Sequence, residues 1–292
     1  MEFLLVLASA LAPAVILFFY IRKRDEKRPE PVGELLKAFG GGVVSAVLAV
    51  ILALLLGELH FYYNTYDSIL GAFRKSLFAA ALPEEFAKFF IFWLVVRKNR
   101  YFDERVDGIV YASCVALGFA ALENVMYLFG ADSWVATGVV RAVLSVPGHF
   151  FFGVLMGYYY SLVKFKNPSV FNMSMVLVAP ILAHTMFNTF LMSMQLSYLP
   201  CFLLFILFIA FFISLRKRAL NSIKEQLQED DNEFEVSNSS DEAMAGQDAD
   251  SSDASGEMLI DSPISDGEQP ENSDELAEDF IMNKYFGDNS KG

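Results

Sequence analysis

Seven long apolar runs separated by short polar stretches make up the first 215 residues: roughly 2–21, 35–57, 69–96, 106–129, 134–163, 170–194 and 197–215. Each is close to or beyond the length at which a helix rising 1.5 Å per residue crosses about 30 Å of hydrocarbon. The pattern therefore predicts an all-α, polytopic transmembrane helical bundle of about seven spans. Beyond it the pattern changes. Residues 225–279 are rich in Asp, Glu, Ser, Asn and Gly, with too few apolar positions to build a core, and this predicts a disordered acidic tail. The expected division is a transmembrane domain over 1–222 and a cytoplasmic tail over 223–292. A small apolar patch near the end, Phe280-Ile281-Met282 with Tyr285-Phe286, reads most simply as an unstructured terminus, or else as a docking segment for a cytoplasmic partner.

Charge sharpens this division. The whole chain carries a formal charge of −13, but from Lys224 onward there are 21 acidic and three basic residues, about −18, which leaves the body weakly basic at about +5. Repeated membrane-length runs exclude a soluble globular enzyme. A nucleic-acid binder is excluded because the basic residues sit in short clusters between apolar runs, with no basic face. Cys114 and Cys201 both lie inside apolar runs, so neither a disulfide framework nor a CxxC metal site is available. The basic clusters also set an orientation. Loops 22–34, 97–105 and 164–169 and the segment after 215 carry Lys and Arg, whereas 58–68, 130–133 and 195–196 carry none. Every second loop is basic, so the positive-inside rule predicts an N-terminus outside and a C-terminus in the cytoplasm of a plasma membrane. The first run lacks a basic residue before it and is followed by Arg22, Lys23 and Arg24, the pattern of a retained anchor rather than a signal peptide.

An ionisable group in mid-membrane costs roughly 2.5–3.5 kcal/mol on insertion scales. The body nevertheless carries several such groups, confined to four adjacent spans: Glu84, Glu85 and Lys88 in the third, Glu123 and Asn124 in the fourth, Arg141 and His149 in the fifth, His184 and Asn188 in the sixth. Counted at 1.5 Å per residue, Glu84, Glu85, His149 and His184 fall near the midplane, with Glu123, Arg141 and Asn188 roughly 6 Å further outward. These four spans are expected to surround one polar site, with the other three as lipid-facing packing. Glu84 and Lys88 stand at i, i+4 and Glu85 and Lys88 at i, i+3, spacings that suit helical ion pairs. Pro83 and Pro147 should each break the backbone ladder beside the site, which is tolerated where backbone lines a cavity. Each feature also has a plainer reading: an interhelical ion pair for the carboxylates, hydrogen-bonded packing for the histidines and Asn124, a partner for Glu123 or a snorkelling cation for Arg141. The glycines at 40–42, 153 and 157 read as close helix contacts, and the many phenylalanines as lipid-facing bulk.

Three carboxylates and two imidazoles around a wet pocket suit water activation, with Asn188 as an oxyanion donor. The same side chains could bind zinc, although no HExxH is present. Four segments in order, EEFAK at 84–88, FAALEN at 119–124, HFFFG at 149–153 and HTMFN at 184–188, resemble the PrsW family of membrane-embedded glutamic-type proteases, distant relatives of the CAAX-prenyl endopeptidases. The resemblance covers about 35–195. It implies an intramembrane endopeptidase with Glu84, Glu85, Glu123, His149, His184 and Asn188 as catalytic residues and no cofactor. Its implied substrate is a membrane-anchored, anti-sigma-factor-like protein in the bilayer of a bacterial inner membrane. Lys88 sits where relatives have Lys or, one residue later, Arg. Two other readings use the same residues differently: a proton-coupled transporter with Glu and His as its relay, against which no inverted repeat is found, and a non-catalytic scaffold whose tail does the work.

Overall fold

The computed structural model of the chain describes residues 2–251 except 26, 63–65, 167, 195 and 197; the apolar patch at 280–286 lies outside the described residues. Every described element is helical: α1 (Glu2–Arg24), α2 (Val32–Glu58), α3 (Ile69–Lys75) continuing through a π-helical segment (Ser76–Ala81) into α4 (Leu82–Val96), α5 (Arg105–Phe129), α6 (Trp134–Val140) continuing through a second π segment (Arg141–Ser145) into α7 (Val146–Ser161) and a third (Leu162–Lys166), α8 (Val170–Ser193) and α9 (Tyr198–Ser251). Five of these rods are long and apolar enough to cross a membrane: α1, α2, α5, the rod 134–166, and α8. The 69–96 rod is as long, but carries Arg74, Lys75, Glu84, Glu85 and Lys88.

Helix α5 is the axis. Every residue from Arg105 to Ala121 is buried, and α7, α2, α1 and α4 all pack on it. Small residues allow that density. A Cβ at Gly157 would lie 2.1 Å from the carbonyl oxygen of Gly108, and one at Gly42 would lie 2.0 Å from that of Val115, so α5 meets α7 and α2 backbone to backbone. Gly40, in the same triplet, faces open space and plays no such part. The outward faces remain apolar: Val44, Val47, Ile51 and Leu54 form an exposed stripe on α2 that water would not tolerate and lipid chains cover. The phenylalanines are not all lipid-facing. Phe92, Phe150, Phe152 and Phe208 are fully buried, and Phe187, Phe208 and Phe212 stack between α8 and α9.

Neither proline breaks its rod. Just before Pro83 the amide of Leu82 bonds the carbonyl of Leu77, and just before Pro147 that of Val146 bonds Arg141, both five residues back. Proline has no N–H and its ring crowds the carbonyl four residues earlier. A wider π turn relieves that crowding and keeps the rod continuous.

The start of the acidic segment belongs to the bundle. Helix α9 continues unbroken to Ser251, and the compact unit formed by the body extends to Ser239. Leu215, Ala219, Ile223, Gln226 and Asp230 are buried at helical spacing. The carboxylate of Asp230 accepts from the backbone amides of Arg105 and Val106 at 3.1 and 2.9 Å, capping α5 from outside, while the Arg105 guanidinium pairs with Asp230 at 3.2 Å and with Glu233. Of the second unit, 240–292, the residues to Ser251 are helical. Truncation after Ser239 is therefore expected to leave the thermal unfolding midpoint of purified protein unchanged. Truncation after Ser222 should lower it by several degrees, because it leaves Arg105 buried without its carboxylates and takes the Asp230 acceptor from the first amides of α5.

Candidate active site

Four rods bring the singled-out residues to one cavity of about 560 Å³. Its walls include Glu84, Glu123, Arg141, His149, His184 and Asn188, with Tyr127, Phe152 and Phe187 as apolar walls. Its other lining residues, Ala136, Thr137 and Met192, lie near the loops that carry no Lys or Arg.

Glu84 and Glu85 are adjacent in sequence but differ in surroundings. Successive residues on a helix point about 100° apart, so only one can face the cavity. Glu84 does: its Oε2 lies 3.5 Å from Lys88 Nζ and 3.9 Å from His184 Nε2. Glu85 turns inward and is fully buried, its Oε1 2.8 Å from both Lys88 Nζ and His184 Nδ1, while its Oε2 is buried without a hydrogen-bond partner. Lys88 is the hub. Its ammonium also reaches His149 Nδ1 at 3.0 Å and stands 3.9 Å over the ring of Phe119.

The network assigns the ring protons. Lys88 can only donate, so His149 Nδ1 accepts and its Nε2–H donates to Glu123 Oε2 at 2.8 Å. His184 Nδ1–H donates to Glu85, leaving Nε2 to accept from Asn188 Nδ2 at 3.1 Å. Phe152 stacks on the His184 ring at 4.8 Å and fixes its plane. Arg141 completes the far side, donating to Glu123 Oε2 at 2.8 Å and to Asn124 Oδ1 at 2.6 Å.

All six expected site residues thus meet, including Glu123 and Asn188, which depth counting had set further outward. Three more belong with them. Lys88 and Arg141 supply the positive charges, and Asn124 donates to the carbonyl of Ala10, tying α1 to the site. The first span is therefore a structural partner of the site and not only lipid-facing packing. Helical spacing already pairs Lys88 with the two glutamates, but nothing in the sequence pairs Asn124 with a backbone carbonyl 114 residues away.

A cavity holding carboxylates, imidazoles and an amide inside a membrane-sized bundle offers the groups that a membrane-embedded hydrolase would use. Comparison gives the family. Residues 30–215 match the family described as PrsW family intramembrane metalloprotease. The chain is 37% identical over 188 residues to Protease PrsW of Clostridioides difficile, covering 63% of this chain and 77% of that protein. It is 35% identical over 184 residues to the Oceanobacillus iheyensis protein of the same name, covering 63% and 81%. With that of Bacillus subtilis it shares 30% over 223 residues, 75% of this chain and 98% of the relative. No solved structure matches the chain. The chain belongs to the PrsW family and is a multi-pass membrane peptidase.

The family description implies a metal. Glu84, Glu85, His149 and His184 do offer ligand atoms all within 4.8 Å of one another. Their present bonding does not fit an ion. Lys88 places an ammonium 2.8 Å from Glu85 and 3.0 Å from His149 Nδ1, and Glu85 Oε1 is shared between Lys88 and His184. That leaves Glu84 and His184 Nε2, one fewer than the three protein ligands of a catalytic zinc. A dication beside the buried ammonium would also be repelled by it.

Proposed function

We propose that this peptidase is of glutamic type, an intramembrane endopeptidase that hydrolyses a peptide bond of a membrane-anchored, anti-sigma-factor-like protein with carboxylate-activated water. The observation that carries this reading is the division of labour between the paired glutamates. Glu84 faces the cavity with its Oε2 3.9 Å from Nε2 of His184, while Glu85 is spent holding Lys88 and His184 in place.

In this scheme a water between Glu84 and the scissile carbonyl loses its proton to Glu84 as its oxygen attacks the carbon. Asn188 and Arg141, both on the cavity wall, offer N–H groups to the developing oxyanion. Glu84 then returns the proton to the leaving amine, so one group serves as base and acid in turn. Lys88 balances the charge of Glu85, and the pair Arg141–Glu123 orients His149. Six side chains act by position and charge, and no step needs a metal.

The basic loops support an N-terminus outside and a C-terminus in the cytoplasm of a bacterial inner membrane. With that orientation the cavity lies nearer the outer face. A peptide bond in a lipid-buried helix is dry and hydrogen-bonded, so the substrate must unwind where water enters. Cleavage is therefore expected at or just outside the outer edge of the substrate's span.

Reconstitution of purified enzyme with a tagged single-span protein, followed by mass spectrometry of both fragments, tests all of this. New termini at the outer edge, formed equally well after strong chelation, are expected. Loss of cleavage on chelation with recovery on adding zinc would move the enzyme to the metalloprotease class. Termini on the cytoplasmic side would overturn the orientation.

A further inference from the structure

At the opposite end of the bundle from the cavity, five carboxylates converge where the sequence suggests only basic loops. Asp25 and Glu30 come from the α1–α2 connection, and Asp103, Glu104 and Asp107 from the start of α5. Ligand oxygens of Asp25, Glu104 and Asp107 lie within 4.8 Å of one another, as do those of Glu30, Asp103 and Asp107, so Asp107 is common to both triads. Asp25, Glu30 and Asp107 are 3%, 6% and 1% exposed, which removes the water that would otherwise screen them.

Acidic clusters often serve only as helix caps, and part of this one does. Asp107 Oδ2 accepts from the backbone amides of Asp103 and Glu104 at 3.1 and 2.7 Å, and Asp25 Oδ2 accepts from that of Glu30 at 3.3 Å. Capping leaves the other Asp107 oxygen unexplained. Oδ1 is buried with no hydrogen-bond partner among the described residues, held among carboxylates that are acceptors as well. Arg28 bridges to Glu104 at 2.6 Å, and Tyr111 donates to Glu30, but one guanidinium cannot balance five carboxylates.

We propose that Asp25, Glu30, Asp103, Glu104 and Asp107 form a binding site for one hard divalent cation, Mg²⁺ or Ca²⁺, that pins the α1–α2 connection to the start of α5. All-oxygen donors of this number suit such ions and not zinc, which prefers nitrogen and sulfur. The orphan Oδ1 of Asp107 gains a partner, and two connections separated by some 70 residues of chain become one rigid corner. The site is remote from the chemistry: Asp107 and Glu123 are 16 residues apart on α5, about 24 Å.

The test uses the full-length protein in detergent, stripped with chelator and dialysed. Mg²⁺ and Ca²⁺ are titrated separately by calorimetry, with the unfolding midpoint followed in parallel. One equivalent is expected to bind, with a midpoint rise of about 5 °C at a hundredfold excess over Kd. Glu30→Gln and Asp107→Asn should each weaken binding at least tenfold; the latter keeps an oxygen for the cap and so should fold. Asp103→Asn, at an exposed position, should weaken it several-fold with no change in the ion-free midpoint. His184→Ala should bind the ion as the parent does, which separates this site from the catalytic cavity whichever mechanism operates there. Absence of binding at 10-fold above about 1 mM ion, or binding that survives Asp107→Asn but is lost in His184→Ala, would overturn the proposal. So would a midpoint that responds to pH alone, since the carboxylates would then be sharing protons.

Discussion

Glu84→Gln is expected to abolish detectable cleavage while leaving the protein folded, inserted and as thermally stable as the parent. The amide is isosteric with the carboxylate but cannot take a proton from water, and removing a positioned general base costs about 10²–10⁴ in rate. Stability should hold because Glu84 faces the cavity and its contact with Lys88 is long, at 3.5 Å. Glu85→Gln should differ in kind. Glu85 is fully buried and shared by Lys88 and His184, so its loss should lower both turnover and the unfolding midpoint. Single-turnover cleavage in proteoliposomes and a thermal melt of each variant separate the two roles. Near-normal turnover in both would end the water-activation scheme, and an unstable Glu84→Gln with a stable Glu85→Gln would reverse the assignment.

Lys88→Met should cost about 3–5 kcal/mol of stability and eliminate activity, since it removes the cation from a buried carboxylate and leaves it the His184 ring as partner. The ammonium serves Glu84, Glu85 and His149 together. The double variant Lys88→Met with Glu85→Gln should recover much of the stability, because a buried pair replaced by neutral groups of similar shape is often nearly neutral, yet it should remain inactive. Denaturant or thermal unfolding of the two single variants and the double gives the coupling directly. Additive losses would show that Lys88 and Glu85 do not act as a pair.

The start of the tail shows what composition leaves out. Across 225–239 acidic and polar residues outnumber apolar ones, yet Gln226 and Asp230 continue the buried helical stripe that Leu215, Ala219 and Ile223 begin. That stripe was legible in the sequence. Its partner was not, because Arg105 is more than 120 residues away, and only folding makes Asp230 a cap for α5. The prolines are similar: their position beside the paired glutamates and His149 could be read off, but whether they break the rod or widen one turn depends on which carbonyls the neighbouring amides reach.

The sequence by itself determined the helical rods, their number and the residues that had to be hidden from lipid. Hydrocarbon forces every backbone group into a helix and makes each stray charge conspicuous. It also carried the family, through four short segments in order on successive spans, and the match over 30–215 and relatives at 30–37% identity give that same family. Only the tertiary structure decided which glutamate faces the cavity, which partner each ring nitrogen of the two histidines meets, and that Lys88 holds the set together. Those depend on helix rotation and on contacts between side chains as many as 99 residues apart, for which a one-dimensional pattern has no term. The carboxylate corner at the other end went unread for the same reason: its acids lie among arginines and lysines in two separate stretches, and only packing brings them into two triads around Asp107, each with its oxygens within 4.8 Å.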